Sequence, residues 1–572
     1  MSVFKNKALR ISGIILLLLL AIVLSFNSIV AKLIQSKIDD FLLKENLKHY
    51  HVEYKRVGFN FLNRSVSLIG FKYLPDTAFL DSLAKADVDR MVPSVSVGRL
   101  SVTGIDFKAA LKDGILNIRK IKVKNPEIRL YKFNGKSREM TEENKSNAVL
   151  GDSVKLMKLS GVSVHAILFK KSKFEIYNYK KKKFTLVSGN ISITFTGLAL
   201  KKSGHHNHYF YPSLQSAILL AKDNKLQPGN NLYEIDFREL FVDLTGNTIS
   251  ITGMHYRPLY GKKAFSRHLK FQKERFDMQA GKVTMTGVGF YRFLTKGKVS
   301  IHKILIDDAF IDLYRDKQVP FNHNQRPLFP HQLLKKLPGK VRIDTLAIRN
   351  SRFEYNETST LTRRPLNVFF TGISATIVHI SNLPYLWRKQ SMRLILKAKL
   401  MDRAPMEIRM VFPLASPSDT FYFSGGVYGP VPFSVFNPAI YPASGLKFTG
   451  GTLNKLVFTA RANPSVAIGN MTMLYRNLTF QATKKKDRQS SNKLTTLGVN
   501  AFVRRNNPRK GEGKEPKTVT LFFQRDVEKG LGNFLWKTVY SGMKATMLPS
   551  VNTINRKNVQ AVTSGKKDGK SY

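Results

Sequence analysis

The chain is predicted to be mainly β, with one N-terminal transmembrane helix ahead of an elongated, internally repeated β structure. Three observations predict it. Residues 98–131 align without a gap on residues 281–314, and twelve of the 34 paired positions are identical, where ordinary composition would give about two. The apolar period over most of the chain is two, the spacing of strands. Ile11 to Ala31 is an uncharged run of 21 residues, and roughly 20 residues span a bilayer as a helix. Repeated β units stack into open-ended architectures rather than compact enzymes.

Residues 1–31 are read as a cytoplasmic stub and membrane anchor. Its apolar block carries Ile14, Leu16, Leu18, Leu20, Ile22 and Leu24, and Lys5, Lys7 and Arg10 precede it. By the positive-inside rule the N-terminus stays in the cytoplasm and the rest crosses. A cleaved signal peptide is the competing reading. The apolar stretch is long for one, and residues 25–31 offer no clear small-x-small site. Residues 32–51 are expected to form a juxtamembrane helix, with Ile34, Ile38, Phe41 and Leu42 on one face and Lys37, Asp39, Asp40 and Lys44 elsewhere. Such a helix lies on the membrane surface or caps the next element.

Residues 52–280 and 281–384 are expected to be two β repeat regions. In the first, Ile121 and Val123 alternate with Lys120, Lys122 and Lys124, which describes a sheet with one apolar and one cationic face. Both copies also break parity. Leu116 and Ile118 are even-numbered and Ile121 and Val123 odd; Val299 and Ile301 are odd and Ile304 and Ile306 even. A one-residue slip turns side chains to the opposite face, so a bulge or bend is predicted near Arg119–Lys120 and His302–Lys303. The repeat continues with deletions: Ser172, Phe174 and Glu175 match Ser351, Phe353 and Glu354, and Thr196-Gly197 matches Thr371-Gly372. Residues 134–153 read as a polar insertion that the second copy largely lacks.

Residues 385–524 form a C-terminal β region punctuated by prolines, with strands at 450–480 and charged loops at 484–493 and 504–517. Residues 525–548 are predicted as an amphipathic helix with Trp536, Tyr540, Met543 and Met547 on one side. Residues 549–572 read as a basic disordered tail.

The net charge is +54, from 93 basic and 39 acidic residues. It implies anionic company: phospholipid or glycolipid head groups, or nucleic acid. There is no cysteine, hence no thiol nucleophile, disulfide or thiolate metal site. There is no H-E-x-x-H, G-x-S-x-G or strand-helix G-x-G-x-x-G. His205, His206 and His208 have no acidic partner nearby and read as a polar loop rather than a metal site. Gly565-Lys-Lys-Asp-Gly569-Lys570-Ser571 is one residue short of a phosphate loop and follows no strand. No catalytic residue, cofactor or metal is assigned, and the chain is read as no enzyme. Basic runs at 180–183 and 484–486 would permit phosphate binding. The topology puts them outside the cytoplasm and no recognition helix is apparent, so nucleic acid is disfavoured.

These features together resemble the AsmA-like family, related in design to TamB-type and chorein-type lipid-transfer proteins. Three pieces carry the resemblance: the anchor running into the strand region at 52–73; the repeated G-x-L/V-x-V/M-T-G block; and a C-terminal part. In that last part Gly469-x-Met471-x-Met473-x-Tyr475-x-Asn477-Leu478 is followed by Arg525-Asp526, Asn533-Phe534-Leu535-Trp536-Lys537 and Gly542-Met543-Lys544. The strong basic bias departs from the family pattern. The resemblance implies a single-pass inner-membrane protein with its bulk in the periplasm. Its sheet would curl, taco-like, into an apolar-lined groove that moves lipid between inner and outer membranes or supports outer-membrane biogenesis. An envelope protein partner would fit such a role.

An acyl chain in water costs about 0.8 kcal/mol per CH₂, on the order of 10 kcal/mol for sixteen carbons, and an apolar floor removes that cost. The candidate floor residues are Val66 and Leu68; Leu100 and Val102; Ile118, Ile121, Val123, Ile128 and Leu130. In the second copy they are Val283 and Met285, then Val299, Ile301, Ile304, Ile306, Ile311 and Leu313. Alternation alone does not separate a lipid floor from a dry sandwich core. The alternative is therefore an anchored envelope-assembly scaffold with a filled core and a basic binding surface.

Overall fold

The computed structural model describes residues 25–40, 49–86, 90–133, 161–202, 210–226, 232–358, 365–482, 503–509, 511–513 and 515–564. It is mainly β, and the chain divides into two compact units, Met1–Asn231 with Ile235–Gly246 and Leu232–Glu234 with Asn247–Tyr572. The apolar block of the expected anchor lies outside the described residues. Among the described residues no helix is long and apolar enough to cross a membrane. A helix covers 25–40 (α1), spanning the end of the uncharged run and residues 32–40 of the expected juxtamembrane helix; residues 41–48 lie outside the described residues, and Tyr50 and His51 are in a strand.

The first unit continues with β1 (Tyr50–Glu53), β2 (Arg56–Asn60), β3 (Ser65–Pro75), α2 (Thr77–Lys85), β4 (Arg90–Asp106), α3 (Phe107–Lys112) and β5 (Ile115–Phe133). Then come β6 (Gly161–Asn178), β7 (Lys183–Lys202), β8 (Phe210–Ser213), β9 (Ser216–Leu226) and β10 (Tyr233–Asp243). β1 and β2 pair with one edge of β3, and the sheet proceeds β3–β4–β5–β6–β7–β9–β10. Every step is antiparallel except β5–β6. The break between β4 and β5 is local: Asp106 Oδ1 accepts the Ala109 N–H at 3.1 Å and starts α3.

The second unit contains β11 (Thr248–Pro258), α4 (Lys262–Arg267), β12 (Arg275–Thr286), α5 (Phe290–Lys296), β13 (Lys298–Arg315), α6 (Pro330–Lys335), β14 (Lys340–Thr358) and β15 (Pro365–Ser381). After these come α7 (Pro384–Trp387), β16 (Met392–Leu400), β17 (Ala404–Phe412), β18 (Phe421–Pro432), α8 (Asn437–Ser444), β19 (Leu446–Ala462), β20 (Val466–Ala482) and β21 (Thr518–Gln524). The helices α9 (Leu531–Met547) and α10 (Pro549–Thr563) follow. Each strand pairs with the next, and β13–β14 is the parallel step.

The duplication holds at the level of the ladders. Leu68↔Leu100↔Val123 in the first copy becomes Ile251↔Val283↔Ile306 in the second, all at an offset of 183 (283 − 100). It also starts earlier than the sequence indicated. β11 is the counterpart of β3, and Tyr50 stacks on Tyr73 at 4.2 Å as Tyr233 stacks on Tyr256 at 4.4 Å. The second copy therefore begins near 233, not at 281. The bends predicted from parity sit opposite Arg119 and His302. Gly104 (φ 68) and Gly287 (φ 64) occupy the facing positions, where a Cβ would fall 2.7 Å from the Arg119 Cβ and 2.6 Å from that of His302. Only glycine accepts that backbone at that separation.

A second irregularity had not been anticipated. Gly70, Asn125, Lys171 and Asn190 have left-handed backbone at one level of the first copy, and Gly253, Asp308, Asn350 and Gly372 at the same level of the second. This row corrects one alignment. By the ladders Ser172↔Ile191 and Ser351↔Ile373, β15 follows β7 at an offset of 182 (373 − 191). Gly372 therefore corresponds to Asn190 rather than to Gly197.

Three further expectations are corrected. The second copy does not lack the segment between its parallel strands: residues 316–339 join β13 to β14, because parallel neighbours need a long crossover. Its counterpart at 134–160 lies outside the described residues. The tail is not structureless throughout, since α10 occupies Pro549–Thr563. The face of α9 is also different from that predicted. Of the predicted side Met547 is buried and Met543 packs against the core, but Trp536 is 45% exposed, and the buried face is carried by Phe534, Thr538, Ser541, Gly542 and Ala545. Small residues let α9 approach the sheet, and a Cβ on Gly542 would fall 2.1 Å from Leu521 Cδ2.

Candidate functional site

In the first unit the candidate floor residues stand in cross-strand rows. Directly paired residues of a ladder share a face. One row is Val66–Val102–Ile121–Ile167–Phe195–Ala217, and the next is Leu68–Leu100–Val123–Phe169–Ile193–Leu219. Ile118 belongs to a third, Ile105–Ile118–Val164–Leu198. Each six-strand row spans roughly 24 Å at about 4.8 Å per step. Ile128 and Leu130 lie beyond the left-handed row and pair with Val95 and Pro93.

These rows are neither dry nor fully wet. Val123 is buried, Ile128 is exposed, and Val66, Leu68, Leu100, Val102, Ile118, Ile121 and Leu130 are half-buried. A filled sandwich core would bury such residues almost completely.

The second unit shows the same face passing into a closed core. Val283, Ile301 and Ile304 are buried in one cluster, with Met285, Val299 and Ile306 against it. Ile301 and Ile304 differ in parity, as do Ala280 and Val283, yet each pair meets in this cluster. Both irregularities thus keep apolar residues on one face. Ile311 and Leu313 stand apart from this cluster, half-buried and paired with Met278 and Phe276. The row Ile249–Met285–Ile304–Leu346–Ile377–Leu394–Met410–Phe423–Ala460 crosses to the C-terminal strands. There Phe423, Leu456, Met471, Met473, Tyr475 and Leu521 are buried in one cluster, which Phe534 and Ala545 of α9 help to close. Met471, Met473, Tyr475 and Leu478, from the stretch that carried the family resemblance, are packing residues. Tyr475 is wholly buried and its hydroxyl donates to the Arg504 carbonyl at 2.7 Å.

The opposite face of the first unit is cationic. Arg99, Lys124 and Lys170 form a cross-strand row, and Lys120 and Lys122 share their face. Repulsion from Lys124 chiefly, with desolvation and the charges of Lys170 and Lys120, holds the Lys122 ammonium below its ordinary value. In the second copy the counterparts of Lys122 and Lys124 are Leu305 and Asp307. The apolar face is kept between copies while the other face changes.

Among the described residues no group of three or more His, Asp or Glu is placed to hold a metal. His205, His206, His208 and residues 565–571 lie outside the described residues. Sequence reasoning missed half of each six-residue row in the first unit, Ile167, Phe195 and Ala217 in one and Phe169, Ile193 and Leu219 in the other, and passed over Ile343, Leu346 and Ile348 in the second unit. Their alternation was visible, but register with the named strands was not. No family model matches this chain, and no curated protein matches it.

Proposed function

We propose that this chain is an AsmA-like, membrane-anchored protein that shields or conducts lipid acyl chains along the apolar face of its first unit. It would act passively and not as an enzyme, in the periplasm, between inner and outer membranes or in outer-membrane biogenesis. The observation that supports this most is the state of that face: continuous apolar rows, half-buried along most of their length, on a sheet whose other face is cationic. Rows of this kind offer an acyl chain the removal of about 0.8 kcal/mol per CH₂ without a specific pocket. The cationic face adds attraction for anionic head groups.

The test is photocrosslinking of the full chain with a diazirine-bearing phospholipid in membranes. Leu100→Glu with Ile121→Glu is expected to abolish crosslinks to peptides of β4 and β5, and Lys122→Glu on the other face to retain them. Circular dichroism establishes that each variant folds. Wild-type protein that yields no lipid adduct on these strands overturns the reading. The closed core under α9 favours the scaffold alternative for the C-terminal strands, and predicts a protein adduct there instead.

A further inference from the structure

Helix α1 and the β2–β3 turn meet at one point. The Phe61 N–H donates to Asn27 Oδ1 at 2.9 Å. The Phe26 ring lies 6.3 Å from that of Phe59 and 5.5 Å from that of Phe61. At the tip of the turn Phe61 and Leu62 are 55% and 76% exposed. On the helix Phe26, Ile29 and Leu33 share one face and are 46%, 59% and 62% exposed.

The turn itself does not require this chemistry. Its fold is set by the Asn63 N–H on Asn60 Oδ1 at 3.0 Å and the Arg64 N–H on the Phe61 carbonyl at 3.1 Å. The matching turn of the second copy is built alike, with the Gly246 N–H on Asp243 Oδ1 at 2.8 Å. It reads Leu244-Thr245-Gly246-Asn247. The copy beside the uncharged run carries Phe-Leu at the tip, and the other carries Leu-Thr.

We propose that the β2–β3 turn inserts into the lipid interface beside the anchor, as a second membrane contact that fixes the depth of the first repeat. The occupant is a bilayer surface, and the inference rests on the anchor reading given above. Asn27 lies inside the uncharged run that ends at Ala31. It precedes Lys32, the first charge, by about 7.5 Å along a helix rising 1.5 Å per residue. A tip docked at Asn27 therefore sits at the depth of the boundary between head groups and acyl chains. Apolar elements that lie in that layer bury about 5–10 Å. The N–H groups of Phe61, Asn63 and Arg64 at the tip have partners within the protein, which lowers the cost of placing it in that layer. Arg64 and Lys32 are long enough to carry their charges back to the head groups.

The chain contains no cysteine, so Leu62→Cys places one polarity-sensitive fluorophore at the tip. Lys85→Cys places the same label beyond the far end of the eleven-residue strand β3, about 36 Å away. The full chain is reconstituted in vesicles of phosphatidylcholine and phosphatidylglycerol and floated on a density gradient. The label at 62 is expected to emit to the blue of that at 85. A nitroxide on the upper acyl chain should quench it and leave the label at 85 bright. A floating protein whose label at 62 emits as in water overturns the insertion and leaves the anchor standing. A blue-shifted label that lipid nitroxide does not quench overturns it in favour of a protein contact. Protein that does not float overturns the anchor reading, and the insertion with it.

Discussion

His331 is 2% exposed, neither ring nitrogen has a hydrogen-bond partner, and the ring lies 5.0 Å from that of Phe412 and 5.6 Å from that of Phe421. Burial chiefly holds its pKa below 6.5; the charge of Asp419 and an approach to its backbone oppose this, and the charge of Lys335 adds to it. The sign of the linkage follows. A histidine whose folded pKa is depressed contributes fully above its unfolded value, and its contribution is lost as pH falls through the folded one. The melting temperature of the second unit is expected to drop from about pH 6.5 downwards. In His331→Phe that part of the slope should vanish, as read by calorimetry across a pH series. At this scale the sequence was legible where parity carried the signal. Ile118 against Ile121 gave the bend that Gly104 makes. It was silent at Asn125, Lys171 and Asn190, because polar residues in left-handed backbone look like ordinary solvent-facing strand positions until neighbouring strands are aligned.

At the scale of elements, β21 shows why the tail was misread. The outward N–H of Thr520 donates to Asn552 Oδ1 at 2.9 Å, and its carbonyl accepts from Asn555 Nδ2 at 2.8 Å. Two residues further along this edge, the Phe522 N–H donates to Ser541 Oγ at 3.3 Å. An open strand edge invites pairing with another chain, and α9 and α10 occupy it with side-chain amides and a hydroxyl. The helix α10 meets the strand edge through Asn552 and Asn555, with Val551 against the core, while Ile554 and Val562 of its apolar side stay exposed. Removing both partners with Asn552→Ala and Asn555→Ala leaves Thr520 unsatisfied. We expect a loss of about 2–6 kcal/mol, at roughly 1–3 kcal/mol for each of the two orphaned groups, measured by urea denaturation. Light scattering should show increased association through the bared edge. The misassigned face of α9 has a related cause: Ser541, Gly542 and Ala545 are buried for closeness, which an apolar-periodicity reading passes over in favour of Trp536.

For the molecule as a whole, the mainly β class, the duplication and the alternation of an apolar with a cationic face were all legible. Each follows from a period of two read along one strand. The openness of the apolar face was not legible, because it depends on what packs across strands rather than along them. The same rows are half-buried in the first unit and enclosed at the C-terminal strands of the second. The net charge of +54 gives a separate expectation. Association of the portion from residue 49 onward with phosphatidylglycerol vesicles should weaken steeply between about 0.05 and 0.5 M salt, as screening shortens from near 14 Å to near 4 Å. Acyl-chain crosslinking inside the apolar rows should change little over that range. Co-sedimentation and crosslinking on one salt series separate the two.

Four strands of each copy turn their facing at the same level, β3, β5, β6 and β7 through Gly70, Asn125, Lys171 and Asn190, and β11, β13, β14 and β15 through their counterparts. A residue gained or lost inside one strand would therefore set everything beyond it inside out against its neighbours. The divergence of the two copies obeys this. Their offset is 183 through β3, β4 and β5, shifts to 179 (351 − 172) in β6, and to 182 in β7. The larger changes fall in connections; near the start of β7 the first copy carries one residue more, Tyr177 pairing with Phe184 where Asn356 pairs with Asn367. Between the two copies length differs mainly in the connections and once near the start of β7. Natural variants of this chain should carry their insertions and deletions where the two copies already disagree.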